Sequence, residues 1–402
     1  MALQTFHMAA EVAMKAGALS TAGTAVPAQF GLINLLKAGA AQLIVLHHLA
    51  FYGPMADRAR PLFPELVDWL GDSARIAVQV FLVIGGFLVA KSLSPDGLPG
   101  LADPLRAIWK RYAKLVPPFL AATLCAVVAS AWASDWMVHD SISPPATPGQ
   151  LIAHALLLHG VLGYESVSAG AWYVAIDFQL YGVIVLALWL TGQMAGSRRP
   201  AWLMPLATAG GIAVSLLYYN LDGDWDDWAP YFFGSYGLGL MAWWASDPRR
   251  KPGAVVLLAV MTLVPALVAL TVEFRSRIAL ALAVACVLFL FGRVRTTSTG
   301  RGWSIVNRLG QISYSVFLIH FAVSLLVNAA FTRFMPLEPG WQALGMLVAW
   351  ASSLAAGAVF HHWVELPLGR AVRFLGELVI MRPVLAERPF RQFAQAGERR
   401  PG

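Results

Sequence analysis

The sequence predicts an all-α, polytopic integral membrane protein with about ten transmembrane helices and both termini on the cytoplasmic side. Three observations carry this. Of 402 residues, 58% are hydrophobic and only 13% charged, where soluble domains carry about 25% charged residues. Apolar runs close to the ~20-residue crossing length recur along the chain, and the mean hydropathy is +0.63. Lysine and arginine gather on alternate connections between those runs.

In chain order the runs lie near 32–52, 74–93, 113–134, 170–192, 201–221, 229–245, 254–272, 277–292, 310–332 and 342–363. The sixth and eighth are short for a crossing. The stretch "LIAHALLLHGVLG" (151–163) is too short to cross and is expected as an interfacial or re-entrant helix. Glu11 and Lys15 interrupt residues 1–30, and no compact apolar core precedes a cleavage site. The first span is therefore expected to act as its own targeting signal. Residues 1–30 then form a cytoplasmic segment, 31–370 the membrane domain and 371–402 a basic cytoplasmic tail, a surface helix before a proline-containing end.

With the N-terminus inside, 22 of the 29 lysines and arginines fall on the cytoplasmic side. Segments 135–169 and 222–228, on the other side, hold none. The net charge of +7 is thus topological and argues against nucleic acid as a partner. Cys125 and Cys286 sit inside apolar runs and imply no disulfide framework.

The first span, "LLKAGAAQLIVLHHLAFYG" (35–53), contains Lys37, His47 and His48. Ionisable residues within a span cost roughly 2.5–3.5 kcal/mol each and are functional candidates by default. Lys37 lies near the cytoplasmic end, where it can also snorkel. Eleven residues separate it from His48, so the two share a helix face to within about 20°, about 16 Å apart along the axis. His47 points elsewhere. His48 is therefore the expected base, with Lys37 a cation nearer the cytoplasmic mouth of the same cavity. Asp177 is the only acidic residue well inside a span, at a depth comparable to that of His48. His320 sits mid-span, preceded by Tyr314, and lines a site or serves packing.

No metal site is expected. Adjacent histidines diverge by about 100° on a helix, and no His-x-x-x-His with a carboxylate occurs. "LDGDWDDW" (221–228) starts like a calcium loop but lacks its glycine and terminal glutamate, and is expected to be an acidic outer loop.

Six ordered motifs across 31–370 resemble the bacterial acyltransferase-3 family. Lys37, ten residues, then His48 resembles that family's Arg-x10-His, with lysine substituted. "VFLVIGGFLVAKSL" (80–93) resembles the second-span motif, with Gly85 at its usual serine. "WKRYAKLVPPFL" (109–120) carries Arg111, Lys114 and Pro117 at the places of Arg-x-x-Arg-x-x-Pro. "WYVAIDFQLY" (172–181) holds Trp172, Asp177 and Tyr181 in register, with Asp177 for glutamate. "LGQISYSVFLIH" (309–320) and "HHWVELPL" (361–368) resemble the late and closing motifs.

The resemblance implies a divergent membrane O-acyltransferase of the bacterial inner membrane, with no permanently bound cofactor. It would move an acyl group, commonly acetyl, from acyl-CoA to a hydroxyl of a cell-envelope carbohydrate or glycolipid. His48 would act as general base or as covalent acyl carrier. An Asp177–His48 pair would fix the imidazole tautomer. Lys37, Arg111 and Lys114 would meet the coenzyme A phosphates, although positive-inside topology also accounts for Arg111 and Lys114. Trp172, Tyr181, Tyr314 and His320 would line the substrate site. His361, His362 and Glu365 read as a structural anchor. The alternative from another class is a proton-coupled secondary transporter or flippase, which the same buried charges suit. Such transporters usually show repeated halves, and this chain shows no internal repeat.

Overall fold

Proline opens many of the helices. In the computed structural model, which describes residues 31–196, 198–294 and 300–372, the chain is helical with no strand among the described residues. The expected N-terminal segment and nearly all of the expected tail lie outside the described residues. Helix α1 (Gly31–Phe51) is followed by two short helices, α2 (Pro54–Ala59) and α3 (Pro64–Asp72). Then come α4 (Val78–Leu93), α5 (Pro104–Ser134), α6 (Pro148–Ala155), α7 (Ala171–Ala195) and α8 (Leu203–Leu217). The series continues with α9 (Ala229–Ala245), α10 (Pro252–Val272), α11 (Ser276–Phe291), α12 (Arg301–Phe334) and α13 (Pro339–Phe360). Proline starts α2, α3, α5, α6, α10 and α13, where its missing N–H would have had no partner anyway. Asp103 caps α5 by accepting from the Arg106 N–H at 2.9 Å, and Thr147 and Gln150 form a capping box on α6.

All ten expected spans fall on helices, but among the described residues seven helices are long and apolar enough to cross a membrane. These are α1, Ala74–Leu93, α5, α7, α10, α12 and Pro339–Val372. Helices α8, α9 and α11 have 15, 17 and 16 residues, or roughly 22–26 Å against a ~30 Å hydrocarbon core. Conversely α5 and α12, at 31 and 34 residues, start well before their expected spans. Their first turns hold Arg106, Lys110, Arg301 and Arg308, which lower hydropathy without lowering helix propensity. The expected helix over 151–163 stops at Ala155, and Leu157 takes a left-handed φ of 58°. The connection 53–73, for which no helix was expected, is mostly helical, and α3 packs on α1.

Two packing centres organise the bundle. Helix α12 packs against α1, α5 and α13, while α9 packs against α4, α8 and α11. Where α4 crosses α9 the backbones touch: a Cβ on Gly86 would overlap the Tyr236 carbonyl, and one on Gly239 the Val83 carbonyl. Small residues permit that approach.

The two ends of the bundle differ in charge. At one end Arg249 bridges Asp96 and Asp247, Arg250 donates to the Asp96 carbonyl, and Arg293 donates to the Trp243 carbonyl. Hydrogen bonds from Arg249 pull the Asp247 carboxyl down to about 2. At the other end, segments 71–76, 140–144, 220–227 and 273–277 surround a cavity.

Candidate active site

His47 and His48 leave α1 in different directions and meet different partners. The Nδ1 of His47 lies 2.9 Å from the Leu70 carbonyl on α3. A carbonyl can only accept, so Nδ1 carries the hydrogen. His48 instead reaches α12, where its Nδ1 lies 2.6 Å from Nε2 of His320 with the two rings nearly parallel. Both residues of that pair are buried, at 7% and 0% exposure.

The tautomers follow from the hydrogen bonds. His320 Nδ1 faces two carbonyl oxygens, Phe317 at 2.8 Å and Val316 at 3.2 Å, so it donates. Its Nε2 is then the acceptor, and His48 Nδ1 must donate to it. This leaves the lone pair of His48 on Nε2. When Nε2 takes up a proton, the Nδ1–H already points at a second imidazole, which stabilises the positive charge. A neutral base backed by another base results.

His48 lines a cavity of about 1120 Å³, together with His47, Tyr52, Gln79, Trp172 and Phe317 among others. The volume is at the upper end of small-molecule sites. Trp172, expected in the substrate site, lines it, with Phe232 at 5.5 Å between ring centres. Gln79 is buried at 6% exposure and accepts from the Ser235 hydroxyl at 2.6 Å.

Asp177 does not meet His48. Its carboxylate is ion-paired with Arg111 of α5, and the Arg111 guanidinium also lies 5.4 Å from the centre of the Tyr181 ring. The expected Asp–His pair assumed that equal depth meant proximity. Helix rotation decides instead, and α7 turns Asp177 toward α5. Tyr181, Tyr314 and His320, expected in the substrate site, and Lys37, expected at the mouth of the same cavity, are likewise absent from the cavity lining. Tyr181 donates to the Ala107 carbonyl at 3.4 Å, Tyr314 to the Leu115 carbonyl at 3.0 Å, and His320 sits behind His48. Tyr236 packs beside this centre. A Cβ on Gly85 would lie 2.9 Å from its ring and 3.3 Å from Asp177 Oδ1, so the Tyr236 ring fills the space a side chain at position 85 would need.

Toward the basic end, half-buried Lys37 lies within electrostatic reach of Lys114 and Glu365. Glu365 accepts from the Ser315 hydroxyl at 2.6 Å and pairs with His361 at 2.8 Å, tying the end of the last helix to α12. That matches an anchoring role. Among the described residues no three His, Cys, Asp or Glu side chains converge as metal ligands.

Sequence reasoning missed Gln79, Tyr236 and the outer rim. Gln79 carried a readable signal, as a lone amide at the start of an apolar span. Tyr236 carried none, because its place depends on the Gly86–Gly239 crossing.

Fold and site together define a helical membrane protein with a buried histidine pair, one member of which lines a large cavity. The chain belongs to the acyltransferase-3 family: residues 31–360 match the family model described as an acyltransferase domain. No curated protein and no solved structure matches the chain.

Proposed function

We propose that the protein transfers an acyl group, commonly acetyl, from acyl-CoA to a hydroxyl of a cell-envelope carbohydrate or glycolipid, with His48 as the central group. The observation that carries this reading is His48, which lines the cavity of an acyltransferase-family chain and is backed by the fully buried His320. A hydroxyl is a weak nucleophile and needs its proton removed as the new bond forms. In direct transfer, the acceptor oxygen attacks the thioester carbonyl carbon while His48 Nε2 takes the hydroxyl proton. The C–S bond then breaks, and the thiolate recovers that proton from Nε2 and leaves as the free thiol. In the covalent route, Nε2 attacks the thioester carbonyl, the C–S bond breaks and the thiolate leaves. The acceptor hydroxyl then attacks the acyl-imidazole, the C–N bond breaks to free Nε2, and the hydroxyl proton released balances the departed thiolate. His320 serves both routes by fixing the tautomer.

The donor enters from the basic end. Lys114 is exposed there with Lys37 nearby, and both suit anionic phosphates. Arg111, expected beside them, is instead occupied by Asp177 and holds α5 to α7. The pantetheine arm would cover the about 16 Å of α1 between Lys37 and His48. The basic end faces the cytoplasm, consistent with the distribution of lysine and arginine, and the cavity opens on the far side of the inner membrane. On this reading α8, α9 and α11 also cross, giving ten spans with both termini inside.

The test is mass spectrometry of envelope glycans and glycolipids from cells with the gene, without it, and with His48→Ala. An acyl ester present only with the wild-type gene supports the reading. Identical ester content in all three cell lines contradicts it.

A further inference from the structure

The cavity mouth carries a charge imbalance that the chemistry at His48 does not use. Six carboxylates line it: Asp72, Asp140, Glu165, Asp226, Asp227 and Glu273. Three arginines face them, exposed Arg75 together with Arg275 and Arg277, and the last two are engaged. Arg275 donates to the Asn220 carbonyl at 2.8 Å, to Asn220 Oδ1 at 2.7 Å and to the Leu216 carbonyl at 3.0 Å. Arg277 donates to the Asn220 carbonyl at 3.0 Å and lies over the Tyr231 ring. None of the six carboxylates takes part in an ion pair among the described residues.

Asp226 and Asp227 are adjacent and exposed, at the start of the segment that ends in Tyr231 and Phe232. Burial and the neighbouring Asp227 raise the Asp226 carboxyl above its ordinary range against the opposing pull of Arg277 and Arg75, so the arginines at the rim offset the carboxylates only in part. Deeper in the same cavity, Gln79 spends only its carbonyl oxygen, on Ser235. Its amide NH2 has no hydrogen-bond partner among the described residues and belongs to a side chain that lines the cavity. The cavity thus offers a negative mouth, an aromatic wall at Trp172 and Phe232, an open amide and a base.

Resting on the acyl-transfer reading above, we propose that the acceptor is a saccharide bearing a protonated amine. Its amine sits at the Asp226–Asp227 rim, its ring lies against Trp172 and Phe232, and a different hydroxyl meets His48. A cleft lined by one sign of charge concentrates ligands of the opposite sign and repels those of its own. Amino-glycosides are therefore favoured over neutral ones, and uronates or phosphorylated sugars are rejected.

The test uses the purified full chain in neutral detergent and three methyl glycosides that differ at one carbon: the 2-amino-2-deoxyglucoside, the glucoside and the glucuronide. Binding is read by saturation-transfer NMR at low and high salt, and acyl transfer to each is read separately with acetyl-CoA. The amino-glycoside should bind roughly fivefold tighter than the glucoside, a size typical of exposed charge pairs. That margin should vanish in Asp226→Asn/Asp227→Asn and shrink at high salt. Equal binding of amino- and neutral glycosides, tighter binding of the glucuronide, or no binding of any would overturn the proposal. The predicted binding order without transfer to any glycoside would count against acyl transfer to saccharides and not against the charge preference. Transfer favouring the glucuronide would do the reverse.

Discussion

Two buried polar centres span the middle of this bundle, and they solve the cost of burial in opposite ways. Arg111 and Asp177 are complementary charges closed on each other, with Tyr236 packed alongside and Tyr181 under the guanidinium. His48 and His320 are two rings of the same kind, joined by one hydrogen bond and open on one side to the cavity. The charge pair joins two helices, although Arg111 Nε and the Tyr236 hydroxyl beside it are buried without a hydrogen-bond partner among the described residues. A pair with an unused lone pair facing space is unfinished in a way that only a ligand or proton completes. On the function proposed above, the first centre supplies cohesion and the second chemistry.

The comparison breaks most visibly at His48. His48→Ala should lower acyl transfer by roughly 10²–10⁴-fold, the contribution of a positioned general base, with the protein still inserted. His47→Ala removes a bond to the Leu70 carbonyl worth about 1 kcal/mol and should keep most activity. Steady-state kinetics on both variants separate the neighbours, and a reversed order would move the chemistry to His47.

Next in size is the charge pair. Asp177→Asn leaves Arg111 without its counter-charge, and breaking one side of a buried pair costs about 3–5 kcal/mol. The expected result is a large loss of thermal stability in detergent, recovered when Arg111→Met is combined with Asp177→Leu. Failure of that double variant to recover stability would show that the pair does more than hold α5 to α7.

Lys114→Gln should weaken acyl-CoA binding roughly tenfold, the lower range for a charge-assisted phosphate contact. An unchanged donor affinity would return Lys114 to topology.

The smallest effect concerns acid. Burial, and then His154 stacked on it, push His159 down to about 3. The folded state therefore favours neutral His159. Its contribution to stability is complete above about pH 6.5, the ordinary histidine value, and is lost as pH falls toward 3. His159→Phe should flatten the acid side of the stability profile between those limits, measured by thermal unfolding across pH. An unchanged profile would remove His159 from the account.

Much of the fold was legible because a bilayer makes hydropathy decisive. All ten expected spans fall on helices, and His48 was separated from His47 by helical phase alone. What escaped depends on rotation about the helix axis relative to neighbours. Depth placed Asp177 level with His48, but the partner it meets is Arg111, on a helix sixty-six positions away in sequence. Short helices escaped too: α2 and α3 are only 6 and 9 residues, each opened by a proline that reads as a turn. The partner of His48 was in view as a mid-span histidine, yet it lies 272 positions further along the chain, and nothing in the sequence signals their contact.

The most direct test of the division between the two centres measures stability and turnover together for His48→Ala and Asp177→Asn in purified protein. The account predicts that His48→Ala keeps the wild-type melting temperature within a few degrees, still binds acyl-CoA and loses transfer. It predicts that Asp177→Asn melts far lower, while the fraction that remains folded still transfers acyl groups. An Asp177→Asn protein as stable as wild type but inactive, beside an active His48→Ala, would contradict it.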